Sequence, residues 1–194
     1  MNRVVVLTSD LQYAAANKHE ARRQAVGRFL PRLTRFLNSV RAKAVPVIHL
    51  QLVIPPGDRR SATLPDELRF QQGTAGVRML EEVVQPSDVI IEKPKDSGFF
   101  QTNLDETLRL MEAETLILTG MQAQICIQTT AADAFFRGYN VIVPSDGVVS
   151  TLEESMQRAL DWMADYCATV MTCDEIEAGL ENPSFAFPRR SSND

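Results

Sequence analysis

Histidine, cysteine and long apolar runs are scarce in this sequence, and each scarcity excludes a class of protein. Its 194 residues include two histidines and three cysteines. An odd number of cysteines without metal-ligand spacing indicates reduced thiols in a cytosolic compartment rather than a disulfide framework. No apolar run approaches the length of a membrane span, and Met1-Asn-Arg-Val4 lacks the apolar core of a signal peptide. We therefore expect a cytoplasmic protein with no membrane partner.

Positive charge is also in deficit. Lysine and arginine number 20 against 25 acidic residues, for a formal net charge of −5. This balance argues against a surface that binds nucleic acid or an anionic membrane. With 44% hydrophobic residues, the chain is long enough for one domain with a full core. We expect that domain over residues 1–180, followed by a tail over 181–194 that is ordered only if a partner holds it.

Short apolar segments alternate with segments of helical periodicity along the chain. The segments that we predict as buried strands are 3–9, 45–52, 88–92, 116–118, 140–144 and 168–171. Between them we predict a long helix around 26–40 and a short one over 77–84. We predict three further helices: one capped by Thr102, one that begins near Gln124, and one capped by Thr151. We predict that residues 53–75 form a long loop that acts as a binding loop or lid. This alternation predicts an α/β fold with a six-stranded parallel sheet covered on both faces.

Three chemically reactive residue types lie where predicted strands end. Asp10 follows the first strand, Lys93 follows the third, and Cys126 falls in the first turn of the helix that follows the fourth. Ligands of parallel α/β sheets bind at the carboxyl ends of the strands. Taken singly, these residues favour ordinary roles as a loop carboxylate, a strand-end lysine and a small core thiol. Taken together, they favour a catalytic site.

The residue types predict a covalent mechanism. A Cys126 thiolate, stabilised by the helix start and by Lys93, would attack a carbonyl carbon. Asp10 would take the thiol proton and return it to a leaving amine. Backbone N–H groups of Gln122 and Cys126 would hold the oxyanion, and water would hydrolyse the thioester. The other two cysteines, Cys167 and Cys173, are predicted as core or near-surface thiols.

The sequence resembles the isochorismatase-like cysteine hydrolase family from Val4 to about Glu175. The matching stretches are Asp10-Leu-Gln12, the run from Ile91 to Leu104, the run from Gly120 to Ile127, the run from Thr130 to Tyr139, and Asp146. The resemblance implies a Rossmann-like three-layer fold, and an Asp–Lys–Cys triad at Asp10, Lys93 and Cys126. It also implies hydrolysis of carbon–nitrogen bonds in small amides or ureides without a cofactor, usually by a homo-oligomer (dimer or tetramer).

The resemblance carries two further expectations about the nucleophile turn and the metal site. It implies a non-proline cis peptide bond between Met121 and Gln122, although Ala123 stands where the family usually has threonine. Nicotinamidase-like members carry an Asp-x-His pair that binds a metal. Here the corresponding region reads His49-Leu-Gln51, within an apolar strand, and the other histidine, His19, lies in a polar segment. We therefore expect no metal site.

Substrate contacts are expected from polar and aromatic residues beside the strand ends and in the long loop. These residues are Gln12, Tyr13, Asn17, Gln51, Phe70, Gln71, Phe99 and Gln122, with Arg59 and Arg60 as candidate partners of a substrate carboxylate. N-carbamoyl amino acids, ureido acids and simple carboxamides all fit this set. The sequence does not choose among them.

Two alternatives to an amidase stay open. A vinyl-ether hydrolase of the isochorismatase kind would use Asp10 as a general acid and would not need the thiol. Since true isochorismatases tend to lack the cysteine, Cys126 favours the amidase. A non-catalytic or redox-sensing domain would keep the fold without the chemistry. The complete triad disfavours that reading.

Overall fold

A parallel β-sheet forms the centre of the structure, a computed structural model that describes residues 3–55, 64–182 and 185–189. Its strands are β1 (Val4–Ser9), β2 (Val47–Leu52), β3 (Val89–Lys93), β4 (Thr115–Met121), β5 (Asn140–Pro144), β6 (Val148–Val149) and β7 (Thr169–Met171). The strand order is β3-β2-β1-β4-β5-β7, and β6 pairs with the end of β4. The six predicted strands are confirmed. The sequence missed β6 because two residues are too few to show a pattern.

Helices cover both faces of the sheet. They are α1 (Tyr13–Ala16), α2 (Glu20–Ala42), α3 (Leu104–Leu110), α4 (Gln128–Phe136), α5 (Glu153–Tyr166) and α6 (Cys173–Glu181). Successive residues of a strand point to opposite faces. Val4 and Val6 accordingly pack with α2 and α6, whereas Val5 and Leu7 pack with α3, α4 and α5. This is the predicted Rossmann-like three-layer architecture.

The predicted helix over 77–84 is absent, and this prediction was wrong. The apolar residues Val77, Met79, Leu80 and Val83 are buried, but the segment is irregular. Its backbone pairs with the segment that follows β1, since the N–H of Leu80 donates to the carbonyl of Leu11 at 2.8 Å. These β-like hydrogen bonds use backbone groups that a helix would need.

One of the two predicted helix caps was wrong. The residue before α3 is Asn103, but the hydroxyl of Thr102 still accepts from the N–H of Leu104, the first residue of α3, at 3.3 Å, and donates to the carbonyl of Gly98 at 2.6 Å. The residue before α5 is Leu152, and the hydroxyl of Thr151 accepts a hydrogen bond from the guanidinium of Arg22 instead of capping the helix. At Thr151 a partner elsewhere in the chain thus competes successfully with the helix for the hydroxyl.

The end of the chain packs on its own domain over the part that is described. Phe187 is buried, and the carbonyl of Pro188 accepts a hydrogen bond from Thr169 of β7 at 3.3 Å. The rings of Phe185 and Phe187 meet edge to face with centroids 5.2 Å apart. Residues 185–189 thus make contacts within the chain itself, and the order of the tail over 181–194 stays a prediction. In the ranges described, no helix has the length and apolarity that crossing a membrane requires.

Candidate active site

The ends of β1 and β4 approach closely and place Asp10 at the centre of the site. Ser9 pairs with Gly120, where an added Cβ would lie 2.7 Å from the Ser9 nitrogen and closer still to its carbonyl oxygen. Only glycine allows this approach, and its φ of 106° also favours glycine. Asp10 follows with a φ of 55°, in the left-handed region that aspartate tolerates better than most residues. Its carboxylate is buried.

Lys93 ends β3 with a side chain that is fully buried and paired with Asp10. Its Nζ lies 2.9 Å from Asp10 Oδ1 and donates to Oδ2 at 3.2 Å. It also donates to the carbonyls of Lys95 and Asp96 at 3.1 and 3.2 Å. Burial is the largest single effect on the pKa of Lys93 and lowers it, but the surrounding negative groups, Asp10 first among them, together raise the pKa by more. The lysine is therefore a buried ammonium rather than a side chain that extends to solvent.

Cys126 lies in a π-helical turn, Ala123–Ile127, between β4 and α4. The residue is 6% exposed, and its thiol donates to Asp96 Oδ1 at 3.8 Å. Burial raises the pKa of this thiol, and the charge of Asp10 raises it further, whereas Lys93 lowers it by less. This direction runs against the expected resting thiolate. The positive charge of Lys93 is already compensated by Asp10, which limits how far Lys93 lowers the pKa of the Cys126 thiol.

The turn before Cys126 has the predicted backbone. The peptide bond between Met121 and Gln122 is cis. The carbonyl of Gln122 accepts hydrogen bonds from the N–H groups of Ile125 and Ile127 at 3.1 and 3.2 Å. These hydrogen bonds direct the Gln122 carbonyl into the turn. That the N–H groups of Gln122 and Cys126 hold an oxyanion stays a prediction.

Asp96 is the site residue that sequence reasoning missed. It is exposed, and it stands beside the thiol on the loop that follows Lys93. The signal was the polar run Lys95-Asp96-Ser97 directly after a strand-ending lysine inside a matching stretch. That run carries no periodicity, so the sequence alone could not say which of its side chains turns towards Cys126.

Gln12 has a structural role instead of the predicted contact with substrate. Its amide is fully buried and donates to the carbonyls of Leu52 and Val77 at 3.0 and 2.7 Å. The amide oxygen accepts from the N–H of Leu52 at 2.8 Å. The backbone therefore occupies both ends of the amide, and Gln12 joins the segments around the end of β2.

Phe99 also differs from its prediction. The ring is buried in the hydrophobic cluster with α3 and α4, where it stacks on Tyr139 at 6.1 Å between centroids. The guanidinium of Arg137 lies over the ring, 4.7 Å from its centroid. The ring thus packs in the core and presents no open face to a substrate.

The remaining predicted contacts lie around the long loop. Tyr13 and Asn17 line a cavity of about 430 Å³ with Glu67 and Arg78. The amide of Gln51 donates to the carbonyl of Val77 at 2.8 Å, and Phe70 and Gln71 are half-buried. A role of these five residues and of Gln122 in substrate binding stays a prediction. Arg59 and Arg60 lie outside the described residues.

His49 is a buried, hydrogen-bonded core residue, as expected. Its Nδ1 lies 2.6 Å from the hydroxyl of Thr8, and its Nε2 lies 3.0 Å from Asp88 Oδ2. Arg41 donates to the same carboxylate at 2.6 Å. Among the residues placed in the structure, no three His, Cys, Asp or Glu side chains are grouped so that they could hold a metal ion.

The other two thiols are fully buried away from the triad. Cys167 follows α5 and packs in the cluster on that face of the sheet. Cys173 begins α6, and its N–H donates to Asp146 at 2.7 Å. Burial and then the charge of Asp146 raise the pKa of the Cys173 thiol.

Comparison with known proteins finds relatives over nearly the whole chain. The family model described as the isochorismatase domain matches residues 4–175. An isochorismatase-like hydrolase from Alkaliphilus metalliredigens has 28% identity and a TM-score of 0.80 over 90% of this chain and 98% of its own. An N-carbamoylsarcosine amidase from Thermoplasma acidophilum has 28% identity and a TM-score of 0.75 over the same shares.

A curated relative matches over a shorter region. The ureidoacrylate amidohydrolase RutB of Methylobacterium radiotolerans is 36% identical over 110 residues. That region is 53% of this chain and 40% of the relative. The match thus spans well under half of the relative's length.

Proposed function

This chain belongs to the isochorismatase family, and we propose that it is a cysteine-dependent amidohydrolase acting on a small amide or ureide. The observation that carries the proposal is the buried ion pair of Asp10 and Lys93, with 2.9 Å between Oδ1 and Nζ, beside the thiol of Cys126. Similarity to a protein named N-carbamoylsarcosine amidase and to one named ureidoacrylate amidohydrolase supports this reaction class. We propose that no cofactor takes part.

The first step is attack by sulfur. Because the pKa of the thiol is raised, Cys126 must lose its proton as the C–S bond forms, and we assign the buried Asp10 carboxylate as the base. The carbonyl π electrons move to oxygen and give a tetrahedral oxyanion. The ammonium of Lys93 is held at the same carboxylate, and it stabilises the negative charge that develops on sulfur as the proton leaves.

The second step breaks the carbon–nitrogen bond. The oxyanion collapses to a thioester, and Asp10 gives its proton to the departing nitrogen, which leaves as ammonia or an amine. Water then attacks the thioester with Asp10 again as the base, and the C–S bond breaks. Sulfur takes back the proton, so acid and thiol are released and the site returns to its starting state.

The oxyanion would be held by backbone donors of the cis-linked turn. We assign this role to the N–H groups of Gln122 and Cys126, at the end of β4. Each such donor is worth about 3–4 kcal/mol of transition-state stabilisation in enzymes that use them. A substitution of the Gln122 side chain leaves its backbone N–H in place, so the effect on rate should be smaller than that of removing the Cys126 thiol.

The test is a substrate panel combined with a thiol variant. N-carbamoyl amino acids, ureido acids and simple carboxamides are screened for ammonia release, first with the wild type and then with Cys126→Ala. Cys167→Ala is the matched control, because it removes a buried thiol far along the chain from the triad. We expect Cys126→Ala to lose turnover and Cys167→Ala to keep it. Amide turnover that survives in this variant excludes the thioester mechanism, and surviving vinyl-ether hydrolysis favours the isochorismatase-type alternative.

We further propose that the chain forms a homo-oligomer, a dimer or tetramer. Phe136 of α4 and Trp162 and Tyr166 of α5 are 68%, 40% and 44% exposed, and their rings form a contiguous patch. Contiguous exposed aromatic surface is typical of interaction sites. Light scattering of Phe136→Ser against the exposed control Leu110→Ser should show dissociation only in the former. A monomeric wild type would overturn the proposal.

A further inference from the structure

A second carboxylate stands at the entrance to the buried triad. Asp96 is exposed, while Asp10, Lys93 and Cys126 are buried beneath it. Its Oδ1 lies 3.8 Å from the thiol sulfur, and its backbone carbonyl accepts from Lys93 Nζ at 3.2 Å. A substrate whose carbonyl carbon reaches the sulfur from the side of Asp96 would place its neighbouring groups next to this carboxylate.

The loop that carries Asp96 is anchored to the helix that follows the nucleophile. The hydroxyl of Ser97 donates to Asp133 of α4 at 2.7 Å, and the N–H of Gly98 donates to the hydroxyl of Thr130 at 3.0 Å. Gly98 fits against β2, where an added Cβ would lie 2.5 Å from a methyl carbon of Leu50. These contacts hold the carboxylate at a set position relative to Cys126.

The charges of the site do not cancel once Asp96 is included. The ammonium of Lys93 is matched by Asp10, to which it is bonded, so the carboxylate of Asp96 remains as an excess negative charge beside a neutral thiol. A carboxylate accepts hydrogen bonds from N–H groups and attracts cations, and it repels another carboxylate.

We propose that Asp96 is a specificity residue that selects substrates with N–H donors or a positive charge beside the scissile carbonyl and rejects a carboxylate there. This inference rests on the proposed amidohydrolase function. It narrows the substrate class to carboxamides and ureides that carry no carboxylate directly beside the scissile carbonyl. A carboxylate elsewhere in the substrate must lie farther from the reacting carbon.

The first experiment varies the charge of the substrate at nearly constant shape. Glycinamide, propanamide and malonamate place an ammonium, a methyl and a carboxylate one carbon from the scissile carbonyl. We expect the wild type to favour glycinamide over malonamate in kcat/KM, and Asp96→Asn to reduce that ratio about tenfold, the size of one partly screened charge. Glu92→Gln is the matched control, since Glu92 alternates with Lys93 along β3 and points to the opposite face.

The second experiment reads the same charge without a substrate. Cys126 is modified with cationic aminoethyl and anionic sulfonatoethyl methanethiosulfonate, and mass spectrometry locates the label. The ratio of the two rates cancels changes in thiol acidity, and Asp96→Asn should lower the cationic-to-anionic ratio about tenfold. An unchanged ratio, or an equal change in Glu92→Gln, overturns the inference. If no amide is hydrolysed while the ratio still changes, the proposed function fails and the charge selectivity of the site stands.

Discussion

Lys93 Nζ lies 2.9 Å from Asp10 Oδ1, and the sheet order brings these two residues together from positions 83 apart in the sequence. Both side chains are buried. Asp10 follows β1 and Lys93 ends β3, and these two strands lie on either side of β2. The pair holds the proton acceptor and a fixed positive charge at the same place. Because the two charges are buried together, removal of either side chain leaves the other as a buried charge without a partner of opposite sign.

Breaking this pair should therefore cost stability as well as activity. Lys93→Met leaves the Asp10 carboxylate buried without its ammonium, which typically costs about 3–5 kcal/mol. Urea unfolding should show this loss for the single variant. The double variant with Asp10→Asn should recover most of it, because no buried charge is left. Equal instability of the single and double variants would contradict a paired role.

Alkylation of Cys126 by iodoacetamide should be slow at neutral pH and should rise with pH. Burial and Asp10 raise the pKa of this thiol, so the reactive thiolate is scarcer at pH 7 than in a free cysteine. The labelling rate should keep rising above pH 8.5 rather than level off near neutrality. Lys93→Met should slow labelling, and Asp96→Asn should speed it, since these charges act with opposite sign.

A neutral-pH plateau in that labelling profile would show that Cys126 rests as a thiolate. Quantification by mass spectrometry distinguishes Cys126 from Cys167 and Cys173, which are 0% exposed. Labelling should also track the loss of hydrolysis. Faster labelling of Cys173 than of Cys126 in the folded protein would favour a non-catalytic domain.

The stability of the fold should fall as the pH drops below about 6.5, the ordinary pKa of histidine. Burial lowers the pKa of His49, and the opposing effect of Asp88 is smaller. The unfolded chain therefore takes up this proton at a higher pH than the folded chain does. The stabilisation that results is complete at pH values above the pKa of His49 in the unfolded chain. It is lost as the pH falls through the pKa of His49 in the folded chain.

His49→Gln should remove this acid sensitivity, while His19→Gln should keep it, because His19 is exposed at the start of α2. The measurement is the urea midpoint at pH values from 7.5 to 5. Burial raises the pKa of Asp88, but its hydrogen bonds with Arg41, His49 and the N–H of Gln85 and the charge of Arg41 together lower the pKa by more, which acts in the same direction at more acid pH. An equal slope in wild type and His49→Gln would exclude His49 as the source.

Gly120→Ala should reduce activity more than its cost in stability explains. The added methyl would collide with the backbone of Ser9 and displace Asp10 or the turn beyond Met121. Gly138→Ala is the control, because Gly138 also has a positive φ of 87° but has open space around it. Both variants should lose roughly 1–3 kcal/mol through backbone strain. Only Gly120→Ala should lose kcat, and equal losses would contradict the close approach of β1 and β4.

Dialysis against a chelator should leave hydrolysis unchanged. His49 is occupied by Thr8 and Asp88, and the proposed proton cycle needs only Asp10, Lys93 and Cys126. The measurement compares ammonia release before and after dialysis against EDTA, with and without added zinc. Loss of activity that zinc restores would contradict the proposed mechanism.

The sequence by itself determined the strands and the chemistry at their ends. Strands buried on both faces need continuous apolar residues, so segments such as 140–144 are visible without any tertiary partner. Asp10, Lys93 and Cys126 could be named because each follows such a strand, and the carboxyl ends of parallel strands share one edge. These inferences depend on local pattern and on a general rule of topology.

Tertiary structure decided the caps and the irregular segments. Thr151 with Glu154 and Thr172 with Glu175 have the same capping spacing, yet only Thr172 forms the box. Arg22, from another helix, takes the hydroxyl of Thr151. Likewise, Leu80 bonds to Leu11 and prevents the helix that its apolar spacing suggested. A hydrogen-bonding group takes whichever partner the fold brings nearest, and the local sequence does not contain that partner.

Tertiary structure also decided the direction in which the pKa of the Cys126 thiol is shifted. The sequence placed Cys126 at a helix start near a lysine, which predicts a thiolate. The fold buries the thiol, compensates Lys93 with Asp10 and adds Asp96 at 3.8 Å, so the pKa is raised instead. Burial and the sum of nearby charges are through-space quantities. They arise only when segments that are remote in the sequence pack around one sulfur atom.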